Sequence, residues 1–181
     1  MRRTVCLSLF VVCYSSLAFA QERGPTPTSP EQIRQAIDKL GDFDYPTRTA
    51  AARTVRRAPA AQTVPALLQT VNEHADGFIR FKALALLTGF NDPRTLDVME
   101  AAMASPNDRL REVAFAYFEQ NPRPAMAARM LASLEKEEGE FVRPALVRAL
   151  AAIHQQPGVA AVLIRDARRG VDFFRSTVIE A

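Results

Sequence analysis

Asp76-Gly-Phe-Ile-Arg-Phe-Lys-Ala-Leu-Ala-Leu-Leu87 is the stretch whose reading decides the fold, because recognisable versions of it recur along the chain. Its arginine marks the interval. Arg48, Arg80, Arg111, Arg143 and Arg175 are separated by 32, 31, 32 and 32 residues, each near the start of an apolar, alanine-rich run. A repeat of that period is the mark of stacked supersecondary units rather than of one irregular core.

The periodicity extends beyond the arginine. Three residues after each one lie Ala51, Ala83, Ala114, Leu146 and Val178, and four after lie Ala52, Leu84, Phe115, Val147 and Ile179. Seven after come Val55, Leu87, Phe118 and Leu150, and one before come Ile79, Leu110, Val142 and Phe174, with Thr47 the polar exception. Offsets of −1, +3, +4 and +7 trace one face of an α-helix. Helix-start residues stand just upstream: Asp44, Asp76 and Asn107 four before their arginines, Asp172 three before, and Gly139-Glu140 in the remaining copy.

The chain between these runs is predicted to supply a second helix per unit. Ser29 and Gln32 form a capping box, Pro30 opens the first helix, Ile33, Ile37 and Leu40 give it an apolar stripe, and Gly41 is expected to end it in a left-handed conformation. The first arginine-bearing helix follows over Pro46 to Ala58. First-type helices are then expected over Thr63–Glu73, Arg94–Ala104, Pro124–Glu135 and Val159–Arg168. Arginine-bearing helices are expected over Gly77–Phe90, Asp108–Gln120, Glu140–His154 and Val171–Ala181. Pro59, Pro93, Pro106, Pro122 and Pro157 fall between them, whereas Pro65 and Pro144 are placed near first turns, where a missing N–H costs little. One helix pair cannot bury its apolar face alone, so stacking supplies the burial, and Ala51, Ala83 and Ala114 let neighbouring helices approach closely.

The acidic or amide residue followed by an apolar-Arg-x-x-Ala-x-x-x-Leu helix resembles the HEAT-repeat family, including the bacterial HEAT-like repeats also found in phycobilisome lyases. The resemblance covers residues 30 to 181. It implies an all-α fold, a right-handed α-solenoid of about five stacked antiparallel helix pairs. It also implies that the arginine-bearing helices line the concave side, and that Arg48, Arg80, Arg111, Arg143 and Arg175 form a structural ladder between repeats with Asp44, Asp76, Asn107 and Asp172. Thr47, Leu146 and Val178 depart from the pattern. The last helix stops at Ala181, before its +7 position, and with Phe173 and Phe174 it is expected to fray or to pack against a partner, a second copy among the candidates.

The first twenty residues read differently. Arg2 and Arg3, an apolar run from Val5 to Tyr14 and the site Ala18-Phe19-Ala20 match a secretory signal peptide, with cleavage expected after Ala20 and a periplasmic or secreted destination. Residues 21 to 29, rich in Pro and Thr, read as a linker, leaving 30 to 181 as the repeat domain. Cleavage leaves 21 basic against 20 acidic residues, so the pI of 9.2 is a poor guide to partners. Cys6 and Cys13 leave with the leader, so the mature chain has no cysteine for a disulfide, a metal site or thiol chemistry.

Catalytic and ligating motifs are sparse. His74 and His154 are 80 residues apart without a second His or Cys at ligand spacing, and there is no Gly-rich phosphate loop, Gly-x-Ser-x-Gly or His-Glu-x-x-His. The run Glu135-Lys-Glu-Glu-Gly-Glu140 lacks alternating ligand spacing and reads as a solvated turn. No metal site and no cofactor are expected. On the arginine-bearing helices, positions +1 and +5 carry Thr49 and Arg53, Phe81 and Ala85, Glu112 and Ala116, Pro144 and Arg148, Ser176 and Glu180. Arg53, Arg56, Phe81, Glu112 and Arg148 are the candidate concave binding residues, suited to an extended peptide or a protein edge. The expected function is a non-enzymatic scaffold with protein partners, no nucleic acid and no membrane span after cleavage. The resemblance leaves an accessory lyase-like or other enzyme-associated role as the alternative.

Overall fold

A computed structural model describes residues 28–168 and 172–180, all of them helix, turn or loop. The leader and most of the linker lie outside the described residues. Ten α-helices follow in order: α1 (Pro30–Asp38), α2 (Tyr45–Arg57), α3 (Ala60–Glu73), α4 (Gly77–Leu87), α5 (Arg94–Ala102), α6 (Asp108–Gln120), α7 (Ala127–Leu134), α8 (Val142–Ala151), α9 (Val159–Asp166) and α10 (Asp172–Glu180). They pair as the period predicts. The odd-numbered helices are the first type, and the even-numbered ones bear the repeating arginines.

Local sequence explains most boundaries. Ser29 Oγ accepts from the Gln32 N–H while Gln32 Oε1 accepts from the Ser29 N–H, which satisfies two otherwise free donors at the start of α1. Asp44, Asp76 and Asn107 cap α2, α4 and α6 by accepting from the backbone N–H groups of Thr47, Phe78 and Arg109. Helix α4 ends at Leu87 rather than Phe90, because Gly89 and Phe90 fold back onto the carbonyls of Leu86 and Leu87 before Asn91 takes a positive φ of 49°. Helix α8 begins at Val142 and ends at Ala151, three residues short of the expected His154, which instead donates its N–H to the Ala151 carbonyl.

Two expectations about special residues are corrected. Helix α3 starts at Ala60, three residues early, so Pro65 lies inside the helix and not in its first turn. It sits on the exposed side, where the carbonyl left without a donor is open to water. Gly41 closes a 3-10 turn over Lys39–Gly41, and the described glycine with positive φ is Gly158 instead. What Gly41 needs is space. A Cβ there would lie 2.8 Å from Cγ1 and 2.9 Å from Cδ1 of the buried Ile79 in the next repeat. Gly41→Ala is therefore expected to destabilise the domain by about 1–3 kcal/mol through overpacking, read as a lower urea midpoint at unchanged slope.

The core follows the arginine register. Positions +3 (Ala51, Ala83, Ala114, Leu146, Val178) and +7 (Val55, Leu87, Phe118, Leu150) are buried without exception, and so are Ile79, Leu110 and Val142 at −1. At +4, Leu84, Phe115 and Val147 are buried, but Ala52 is half-buried and Ile179 is exposed. Even-numbered helices touch successively from α2 to α10, most extensively between α6 and α8, whereas the odd-numbered helices meet chiefly as α1 with α3 and α7 with α9. The result is a continuous ridge of arginine-bearing helices. Ile164 and Ile179 remain exposed beside α9 and α10, and the side chains of Asp172, Phe173 and Phe174 lie outside the described residues.

Candidate functional site

The five arginines point at backbone oxygen before anything else. Arg48 Nη1 donates to the carbonyls of Asp42 and Phe43, Arg80 Nε to Val71 at 2.7 Å, and Arg111 Nη1 to Ser105 at 2.9 Å. Arg143 Nη1 reaches the carbonyls of Leu134 and Glu137, and Arg175 Nε that of Ala167 at 3.3 Å. These carbonyls lie at or beyond the C-terminal end of the preceding helix, which has no intrahelical donor left for its last turn. A guanidinium with five donors meets that need from one position per repeat.

The partners expected of the ladder are corrected. Asp44, Asp76 and Asn107 spend their side-chain oxygens on capping, and the inter-repeat carboxylates are Glu137 and Asp166. Glu137 accepts Arg111 through both oxygens, at 2.8 and 3.0 Å, and also takes the Gly139 N–H at 3.0 Å. The Glu135–Glu140 run is thus not wholly solvated, since Glu137 turns inward and is 8% exposed. Asp166, on the last turn of α9, pairs with Arg143 in the interior. Asn107 does bridge repeats, but through its amide, which lies 3.4 Å from the Gly77 carbonyl. Sequence spacing missed both carboxylates because each comes from the following repeat, 26 and 23 residues beyond its arginine.

Arg111 also meets exposed Asp108 at 2.7 Å, and its guanidinium is held charged above its ordinary pKa, chiefly by Glu137. Arg111→Ala leaves Glu137 unpaired at a largely buried site. The expected loss is about 1.5–3 kcal/mol of stability, checked by denaturant melts.

The candidate binding residues separate into distinct settings. Arg53 and Arg56 are exposed on α2 and form no ion pair among the described residues. Arg148 is paired with Glu119 on α6 at 3.1 Å, which partly neutralises it. Glu112 is half-buried. Phe81 is half-buried against the core, with its ring 5.8 Å from that of Phe78. Around these two rings stand Lys82 and Arg109, which sequence reading did not single out. Lys82 Nζ lies 5.9 and 5.6 Å from the centroids of Phe78 and Phe81, and Arg109 Cζ lies 5.5 and 5.6 Å from the same two. Their offsets of +2 and −2 from the repeat arginines put them on the same side of their helices, about 40° apart at 3.6 residues per turn, the side that Phe78 also occupies at −2.

Alongside, Ala85 of α4 and Thr88 just past its end face Val113, Ala116, Tyr117 and Gln120 of α6 across a groove of about 380 Å³. A second depression, lined by Glu119, Arg148, Ala151, Thr177 and Glu180, continues along the ridge with about 570 Å³. Small residues at +5 in α4 and α6 keep the first groove open. His74 is occupied by the Asp76 N–H, which donates to Nδ1 at 3.0 Å, and His154 Nδ1 lies 2.9 Å from the Ala151 carbonyl. Among the described residues no group of three or more His, Cys, Asp or Glu is arranged to hold a metal ion, and no helix is long and apolar enough to cross a membrane.

No curated protein matches the chain. Residues 33–118 match the family model described as HEAT repeats, which supports the resemblance read from the repeating motif.

Proposed function

We propose that this HEAT-repeat chain is a binding module that receives an extended segment of another protein on the ridge formed by α2, α4, α6, α8 and α10. HEAT repeats are in general protein-interaction scaffolds and are typically non-enzymatic. The observation that carries the reading to this ridge is the open groove between α4 and α6, lined by Ala85 and Ala116 at equivalent repeat positions. From α4 onward the even-numbered helices make the more extensive successive contacts, which supports that part of the ridge as the concave side, since the inner layer of a curved stack has the shorter spacing. Arg53, Arg56, Phe81, Glu112 and Arg148 are its proposed contact residues. Blocking the groove with Ala116→Arg while retaining the thermal midpoint should abolish partner capture, and capture that persists would place the site elsewhere.

The leader reading extends the proposal to an exported protein, cleaved after Ala20 and acting in the periplasm or outside the cell. N-terminal sequencing of the exported chain should begin at Gln21, and a mature chain that keeps Met1 would refute it.

A further inference from the structure

The most unusual surface feature is the pair of positive charges gathered over one aromatic pair. Lys82 and Arg109 come from neighbouring repeats, yet each stands within 6 Å of the same two ring centroids. Neither forms an ion pair among the described residues, although Arg111, two positions from Arg109, is satisfied by two carboxylates. Like charges this close lie within about one Debye length at 0.1 M salt and repel. Ring faces hold them there through cation–π attraction, without neutralising either one. Exposed Arg53 and Arg56 on α2 add positive charge to the same ridge, whose carboxylates nearest Arg109 in sequence are half-buried Glu112 and exposed Asp108, the latter already paired with Arg111 at 2.7 Å.

Resting on the ridge as binding face, we propose that its occupant is an acidic segment of a partner protein, whose carboxylates sit between Lys82 and Arg109 and whose following apolar side chain enters the groove between α4 and α6. A carboxylate there relieves the repulsion and gains two charge-assisted hydrogen bonds, one of them to the planar fork of Arg109. The groove begins at Ala85 and runs to Thr88 and Gln120, so it lies toward the C-terminal ends of both helices, beyond the cluster. Phe78 and Ala85 are seven residues apart on α4, about 10 Å at 1.5 Å per residue. An extended chain covers about 3.3 Å per residue, so the acidic group and the apolar anchor are separated by about three residues. The rings of Phe78 and Phe81 form an apolar floor for the span between them.

The test uses the full chain and fluorescein-labelled dodecapeptides in fluorescence anisotropy. One peptide carries two adjacent glutamates followed, three residues on, by leucine in a Gly/Ser background. A second replaces both glutamates with glutamine, and a labelled single-stranded oligonucleotide of twelve nucleotides is run beside them. The acidic peptide should bind at least about tenfold more tightly than the glutamine peptide and weaken steeply with salt. Lys82→Glu with Arg109→Glu should weaken it by at least about tenfold, and Lys82→Gln with Arg109→Gln by less, at unchanged circular-dichroism melts. Ala116→Arg should weaken both peptides. Equal binding of the two peptides, with the charge variants silent, would overturn the acidic partner and leave the ridge as the binding face. Failure of both peptides to bind would overturn the ridge reading together with this one. Tighter binding of the oligonucleotide, lost in the charge-reversed variant, would assign the cluster to nucleic acid instead.

Discussion

Asp166→Ala is expected to lower the unfolding free energy by about 3–5 kcal/mol, among the largest effects of any single substitution in the chain. Its carboxylate pairs with Arg143, and the two side chains are 0% and 8% exposed. Removing the acid leaves a guanidinium in the interior. The carbonyls of Leu134 and Glu137 still accept hydrogen bonds from it, but a neutral carbonyl does not replace the lost carboxylate charge. The loss should exceed that for Arg111→Ala, where the arginine is 18% exposed and the Glu137 left behind still accepts the Gly139 N–H at 3.0 Å. Arg143→Met combined with Asp166→Leu should recover much of the loss, because a well-packed apolar pair avoids the desolvation that both charges incur. Urea melts of the two single variants and the double variant measure the coupling. Equal midpoints for wild type and Asp166→Ala would show that the pair does not hold the fourth and fifth repeats together.

Phe115→Ala should cost about 3–5 kcal/mol by opening a cavity at the most extensive helix contact in the stack. Phe115 stands at +4 on α6, is fully buried and lies on the helix that packs most extensively against α8. In a stacked array each repeat is stabilised by its neighbours, so a void in the third repeat weakens the coupling on both sides of it. The transition should lose cooperativity as well as midpoint, seen as a lower denaturant slope than in wild type. Ile179→Ala provides the contrast. It occupies the same offset on α10 but is 71% exposed, and its substitution should change stability by about 0.5 kcal/mol or less.

The comparison between Phe115 and Ile179 shows what register can and cannot decide. Both stand at +4, and the periodic pattern assigns both to one inward face, but burial also needs a neighbour. Helix α6 lies between α4 and α8, whereas Ile179 shares an open depression with Ile164 and His154 at the side of α9 and α10. Capping was legible for a related reason. The bonds of Ser29, Asp44, Asp76 and Asn107 reach two or three residues along the chain, so their geometry is local.

From the sequence alone came the repeat length, the ten helices in five pairs, the N-terminal caps at Ser29, Asp44, Asp76 and Asn107 and nearly all of the buried face, because each depends on spacing within one turn or one repeat. Gly41, the inward turn of Glu137, the Arg143–Asp166 pair and the meeting of Lys82 and Arg109 over Phe78 and Phe81 were decided only by tertiary structure. Each joins residues from different repeats, and their approach depends on the stacking angle between repeats. A one-dimensional period sets the repeat length but carries no information about that angle.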